Sequence, residues 1–276
     1  MATVTAADVN KLRKQTGAGM MDCRKALIES DGDFDKAIEY LRKKGQKVAE
    51  QRSGREAKEG VVIAKTTDDA TEGILLSLNC ETDFVAKNET FISLANAAAD
   101  IALAGKLSSL DEVLAASLPD SDQTVSEQLT ELTGKIGEKL SFTHLERVEA
   151  DYVASYIHGN YTLGVLVGFS KSVDKGAARD IAMQVAAMNP LAVDADGVPQ
   201  EIIDREKEIA VAQIVAEGKP AELAEKISQG KVNKYFKENT LLSQPFVKDN
   251  KQSVADFLKS VDGEARITAF KRVTLG

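Results

Sequence analysis

Gly73-Ile74-Leu75-Leu76-Ser77-Leu78-Asn79-Cys80-Glu81-Thr82-Asp83-Phe84-Val85-Ala86-Lys87-Asn88 is the stretch on which the reading of this chain turns. Its first six residues read as a strand, and Phe91 to Ala104 beyond it reads as a helix. A Thr-Asp-Phe-Val turn therefore sits between two regular elements, where a scaffold can hold it rigidly. Aromatic residues make up only 5% of the chain, so the placement of Phe84 carries information. Two readings stand at this point. In one, Phe84 is a core residue, as large aromatics usually are, and Asp83 caps the next helix. In the other, Asp83 and Phe84 project together from an exposed tip, which suits a wedge pressed into a partner better than a catalytic pair.

Outward from this stretch, Gly60-Val61-Val62-Ile63-Ala64 and Gly73 to Leu78 read as the two strands of a hairpin, followed by a helix over 90–104. The pattern returns later. Tyr152-Val153-Ala154-Ser155-Tyr156-Ile157-His158 and Gly164-Val165-Leu166-Val167-Gly168-Phe169 precede a helix over 175–188. Gly73 and Gly164 are 91 positions apart, and the same offset pairs Phe91 with Ala182, Leu94 with Val185 and Ala95 with Ala186. Two ββα subdomains, 60–150 and 151–276, follow from this echo. Strands followed by packed helices make the class α+β rather than a doubly wound sheet.

Two helical insertions decorate the core. Residues 108–139 read as helices forming an arm between the subdomains. Residues 199–239 read as a protruding helical hairpin, with Pro199 in the first turn, Ile202, Ile203, Ile209, Ala210 and Ile214 on one stripe, a turn at Gly218-Lys219-Pro220, and a return helix carrying Leu223, Ala224, Ile227, Val232 and Tyr235. Ahead of the core, residues 1–55 read as a separate unit of three helices. Thr5 and Asp8 have capping-box form, Thr16-Gly17-Ala18-Gly19 and Asp31-Gly32-Asp33 are breaks, and Leu27, Phe34, Ala37, Ile38 and Leu41 can close a small core. Lys43 to Glu59 is polar and reads as a charged helix end and linker.

At 276 residues, 43% apolar and 28% charged, the chain has the length and composition for about two globular domains. Its net charge of −8 argues against broad coating of nucleic acid. Residues 1–58 nevertheless carry a balance of +4, so a helical RNA-binding module using Lys11, Arg13, Lys14, Arg24, Lys25, Arg42, Lys43, Lys44 and Lys47 is the rival reading. Few aromatics lie among these cations to stack on bases. Cys23 and Cys80 are far apart and outside any CxxC pattern, which excludes a disulfide framework and a structural zinc site. No apolar run reaches the roughly 18–20 residues that span a bilayer, and the N-terminus lacks the form of a signal peptide. A reducing cytoplasm is the expected home.

Catalytic chemistry finds no footing. The two histidines, His144 and His158, are not in metal-ligand spacing. Gly17-Ala18-Gly19 is not followed by Gly-Lys-Ser/Thr, and there is no G-x-G-x-x-G between strand and helix. The acidic turns at Asp31 and Asp194 have Arg42 and Arg205 where a calcium loop needs its twelfth-position Glu. The expectation is a binding protein, not an enzyme, with no metal or cofactor of its own.

Read together, three segments resemble one family. Leu12-Arg13-Lys14-Gln15-Thr16-Gly17-Ala18-Gly19-Met20-Met21-Asp22-Cys23-Arg24-Lys25-Ala26-Leu27, Asn79 to Ala86, and Gln244-Pro245-Phe246-Val247-Lys248-Asp249 are similar, in order and spacing, to signatures of bacterial translation elongation factor Ts. The resemblance implies a guanine-nucleotide exchange factor for the GTPase elongation factor Tu. It implies a UBA-like domain at 1–55, an α+β core and a coiled-coil hairpin at 199–239. It also implies that Thr82, Asp83, Phe84 and Val85 enter the partner near its magnesium site, with Asp83 and Phe84 as the intruding pair. Further partner contacts are implied at Arg13, Met20, Met21, Ile136, Gly137, His158, Phe246 and Val247. For Met21 and His158 the residues themselves also fit helix packing and a strand end, and for Phe246 and Val247 a satellite core. No nucleotide, membrane or DNA binding is implied, and a homodimer within the complex is allowed. Three departures stand out. Asn160-Tyr161-Thr162-Leu163 lacks the Arg common in the family, Gln184 stands where His is common, and the sequence ends at Gly276, where some members carry a C-terminal helix, so no contact through such a helix is expected.

Overall fold

Thr5 begins the first helix, and the reason is local. Its hydroxyl accepts from the Asp8 amide at 3.2 Å while the Asp8 carboxylate accepts from the Thr5 amide at 3.0 Å, a capping box that satisfies two donors no helix can satisfy internally. The computed structural model describes residues 4–119, 121–218 and 221–276, with 221–226 described in backbone course alone. Helix α1 (Ala6–Thr16) ends where Gly17 turns left-handed, α2 (Met20–Glu29) follows, and α3 (Phe34–Arg52) starts on the Asp33 cap. Leu12, Cys23, Ala26, Leu27 and Ala37 are buried between them, with Phe34, Ile38 and Leu41 packed alongside.

Strands β1 (Glu59–Thr66) and β2 (Glu72–Cys80) form the expected antiparallel hairpin. A single-turn helix α4 (Asp83–Ala86) leads to α5 (Glu89–Ala104). Helices α6 (Leu110–Ala115) and α7 (Val125–Ile136) precede β3 (Ser141–Glu149), which pairs with β2 to complete a sheet of order β1-β2-β3. The second half repeats the plan with β4 (Tyr152–His158), β5 (Leu163–Phe169) and α8 (Lys175–Met188). It continues through α9 (Gln200–Ala216), α10 (Ala221–Asn239), the short pair β6 (Pro245–Phe246) and β7 (Asp249–Ser253), α11 (Val254–Val261) and β8 (Ile267–Thr274), giving a sheet of order β4-β5-β8.

The class is α+β, and the layers run helix, sheet, sheet, helix. Along β2, Ile74, Leu76 and Leu78 face α5, where Phe91, Leu94, Ala95 and Ala98 cover them. Along β5, Val165, Val167 and Phe169 face Ile181, Ala182 and Val185 of α8. The alternate residues Val62, Leu75, Val148, Val153, Leu166 and Val273 meet between the sheets. Both faces of β2 and β5 are therefore buried, which is why these strands read as continuous apolar runs rather than alternating ones.

The 91-residue echo extends to register. Val61 lies opposite Leu78, and Tyr152 opposite Phe169. The third strand joins each sheet with an irregularity at the equivalent place, between Ser77 and Leu78 and between Gly168 and Phe169. The contacts between sheets are reciprocal. A methyl group on Gly73 would lie 2.9 Å from Val153 Cγ1, and one on Gly164 would lie 2.7 Å from Val62 Cγ1. Ala70 and Tyr161, also 91 apart, both adopt positive φ, and their carbonyls accept from the Val153 and Val62 amides at 2.6 and 2.8 Å. The two halves thus face each other across a local two-fold relation, and the absence of side chains at Gly73 and Gly164 lets the sheets approach.

Several expectations need correction. Residues 43–52 all belong to the charged helix end rather than to the linker expected after it. Helix α3 runs through them to Arg52 because Gly45 is buried against α7. A methyl group on Gly134 would fall 2.5 Å from the Gly45 Cα, so the helices cross almost backbone to backbone. This packing outweighs the roughly 1 kcal/mol that a glycine costs a helix interior. Residues 108–139 do not form an arm either, since Val113, Val125 and Leu132 are buried in the first core. Strands β3 and β8 went unforeseen. In the hairpin, α9 and α10 pack on each other, with Ala210, Ile214 and Val232 buried, but Ile209 points outward at 43% exposure, one helical step off the expected stripe. The expected turn residues Lys219 and Pro220, and the side chains of Leu223 and Ala224, lie outside what is described.

Candidate functional site

Helix α4 is the Thr-Asp-Phe-Val turn itself. Four residues cannot sustain a helix alone, and Thr82 at its start makes no capping bond to it. Its support comes from elsewhere. The Glu138 carboxylate accepts from the Glu81 amide (3.2 Å), the Thr82 amide (3.0 Å) and the Thr82 hydroxyl (2.7 Å). In the opposite direction, the Glu81 carboxylate accepts from the Lys139 amide (2.7 Å), Arg52 (2.8 Å) and Arg55 (3.3 Å). Lys139 Nζ in turn donates to the Ser53 and Arg55 carbonyls, both at 2.8 Å. Residues 81–82 and 138–139 are thus clasped by crossed carboxylates, with the end of α3 tied into the same knot. Val85 and Ala86 pack against the first core and anchor the far end of the turn.

Braced this way, the turn presents Phe84 with 82% of its surface exposed. The core reading of Phe84 is thereby excluded. Asp83 does not cap α5, a role taken by Asn88, whose side-chain Oδ1 accepts from the Thr90 and Phe91 amides. Asp83 instead pairs with Lys87 at 2.6 Å, and the Lys87 hydrogen bond holds its carboxyl below the usual range. The Glu81 carboxyl is also held low: burial opposes ionisation, but the Lys139 amide and Arg52 outweigh it. The Cys80 thiol, whose Sγ donates to the Thr82 carbonyl at 3.2 Å, is pushed up to about 12 by burial and the neighbouring Glu138 charge. It is a packing residue rather than a nucleophile.

Immediately before Glu138 lie two more of the anticipated residues. Ile136 packs on the first core at the end of α7, and Gly137 closes that helix in a left-handed conformation immediately before Glu138. Met20 and Met21 are 53% and 71% exposed at the start of α2. The loop ahead of them reaches α7, because a methyl group on Gly17 would touch the Lys135 ammonium at 3.5 Å. Arg13 is exposed on α1. His158 hangs from the other half, exposed at the end of β4 and hydrogen-bonded to the Tyr156 hydroxyl at 2.9 Å. Phe246 is buried and stacked on Phe257 at 4.1 Å, so its ring belongs to the second core, and of this anticipated pair Val247 alone is exposed. Gln184 fixes that corner, accepting from the Val247 amide (2.8 Å) and donating to Gln244 (3.1 Å) and to the Pro245 carbonyl (3.2 Å).

Sequence reasoning did not find Glu138, Glu81 or Arg52. One signal was available: Thr82 stands in capping position, yet the third helical residue is Val85, which offers no side-chain acceptor to the Thr82 amide, so that donor had to find one elsewhere. Other surface features are self-satisfied. A cleft of about 370 Å³ between α3 and α7 is lined by the ion pairs Asp22–Lys44 and Glu131–Lys135. Part of the basic charge of residues 1–58 is spent internally, with Lys43 on Glu39, Lys44 on Asp22 and Lys11 over the Phe34 ring. Among the described residues no group of three His, Cys, Asp or Glu side chains is placed to hold a metal ion, and no helix is long and apolar enough to cross a membrane.

The fold and this turn define an α+β protein whose salient surface feature is a strongly exposed aromatic ring on a braced tip. The family model described as elongation factor TS matches residues 81–276. Over the full length of both chains, the sequence is 54% identical to elongation factor Ts of Christiangramia forsetii and 50% identical to that of Flavobacterium psychrophilum. It is 44% identical to elongation factor Ts of Chlorobaculum tepidum, again over both whole chains. The chain belongs to the elongation factor Ts family.

Proposed function

We propose that this protein is a guanine-nucleotide exchange factor for translation elongation factor Tu, acting in the cytoplasm. The observation that carries the reading is Phe84, exposed on a turn clamped at both ends. A large apolar side chain carried into solvent on a backbone held in place suits insertion into a partner, because the ordering cost of the turn is met before binding. In this reading residues 1–55 are a UBA-like docking domain, 60–150 and 151–276 are the core subdomains, and 199–239 is a coiled-coil hairpin. Arg13, Met20, Met21, Ile136, Gly137, His158 and Val247 carry docking. Asp83 and Phe84, flanked by Thr82 and Val85, intrude near the partner's magnesium ion and phosphate loop.

The chain performs no covalent step and binds no nucleotide itself. It acts by linkage: a factor that prefers nucleotide-free partner weakens nucleotide by the same ratio that nucleotide weakens the factor. A 10³-fold faster release corresponds to about 4 kcal/mol of barrier removed. Displacing groups that organise the partner's magnesium ion, and with it the support of the β-phosphate, is the proposed source. The test is to load elongation factor Tu with fluorescent GDP, add excess unlabelled GDP, and follow release with and without this protein. A large acceleration is expected; none, with a demonstrably active partner, overturns the reading.

A further inference from the structure

The crossed carboxylates beneath the turn have a consequence of their own. Phe84 has almost no packing to hold it, and α4 is too short to hold itself. What fixes its direction is the pair of amides at Glu81 and Thr82, and both of those donate to Glu138. Glu138 is in turn fixed from below, since it follows the left-handed Gly137 cap of α7 and precedes Lys139, whose amide is taken by Glu81. Hydrogen bonds to an ionised acceptor are stronger than neutral ones, and three donors converge on this one carboxylate.

We propose that Glu138 is a positioning residue for the exchange step: it sets the angle at which Phe84 leaves the surface, without itself touching the partner. The proposal rests on the exchange-factor reading. Small displacements of a working group by a distant change can cost on the order of a hundredfold in rate, so the effect belongs in the maximal rate rather than in docking. Glu138→Ala removes all three bonds. Glu138→Gln keeps one oxygen as acceptor for the two amides and offers its –NH2 to the Thr82 hydroxyl, which can rotate to accept.

The experiment measures GDP release from elongation factor Tu against factor concentration, and hydrogen exchange of the Glu81 and Thr82 amides in the free full-length protein. Glu138→Ala is expected to lower the maximal release rate about tenfold or more, to leave the half-saturating concentration near the wild-type value, and to lose protection at those two amides. Glu138→Gln is expected to restore most of both. A Glu138→Ala protein with the wild-type maximal rate, or with protection unchanged, overturns the proposal, as does a shift confined to the half-saturating concentration. If Glu138→Ala does not fold, Thr82→Val removes the hydroxyl bond alone and is judged by the same two readouts, with a smaller loss expected. Should wild-type protein fail to accelerate release, the exchange reading falls, and the amide protection then decides by itself whether Glu138 orders the turn.

Discussion

Phe84 is 82% exposed and Phe246 only 3% exposed and stacked on Phe257, so the same truncation has very different consequences for stability at the two sites. Phe84→Ala removes little buried area, and urea unfolding is expected to move by no more than about 0.5 kcal/mol. Phe246→Ala opens a cavity in the second core and is expected to cost about 3–5 kcal/mol. Glu81 gives a second test at this scale. Its carboxyl is held below the ordinary value of 4.5, the Lys139 amide and Arg52 outweighing the opposing effect of burial. A lowered folded pKa means the stabilisation is fully present above the unfolded value and is lost as pH falls through the folded one. Melting temperature measured from pH 7 downward should therefore drop less steeply below about pH 4.5 in Glu81→Gln than in wild type; parallel curves would remove Glu81 from the knot.

Helix α3 shows where local reading stops. Its sequence past Lys43 is polar and contains Gly45, which by propensity alone ends a helix. What continues it is α7, and nothing near residue 45 in the chain announces a glycine 89 positions away at Gly134. The same holds for Glu138, which is remote in sequence from the turn it braces. Helices with complete local signals were legible: the Thr5–Asp8 box and the breaks at Gly17 and Gly32 fall where the structure has them. The α3–α7 crossing can be weighed against a glycine with free surroundings. Gly134→Val must push α3 away and is expected to destabilise by about 1–3 kcal/mol. Gly230→Ala on α10, where an added methyl group meets nothing within 4 Å, is expected to stabilise by up to about 1 kcal/mol. Denaturant unfolding of both reports the two signs, and a neutral Gly134→Val would mean that the helices are not held at that spacing.

Across the whole molecule, the 91-residue echo was legible because hairpins and their covering helix keep strict spacing, and the structure extends the echo to strand register and to the reciprocal Gly73 and Gly164 contacts. Strands β3 and β8 were not, because insertions of unequal length separate them from the hairpins they join and break the offset. Spacing left two readings open at each of two phenylalanines, and burial separates them: Phe84 is on an exposed tip, and the Phe246 ring fits the satellite-core alternative.

The proposed exchange mechanism also divides labour over the surface. The α3–α7 crossing and the Arg52–Glu81 bridge tie helix α3 both to α7 and to the base of the turn. Rigid docking surfaces stabilise encounter and transition state alike, whereas an intruding group acts only once nucleotide is being displaced. Each exposed methionine buried on docking contributes on the order of 1–3 kcal/mol. Met20→Ala with Met21→Ala is therefore expected to raise the half-saturating concentration for GDP release about tenfold or more while leaving the maximal rate intact. Phe84→Ala should do the reverse, lowering the maximal rate with a modest change in half-saturation. Titrating each variant against elongation factor Tu loaded with fluorescent GDP separates the two parameters. A methionine pair that lowers the maximal rate as much as Phe84→Ala would show that docking and displacement are one step, and that the wedge does not act alone.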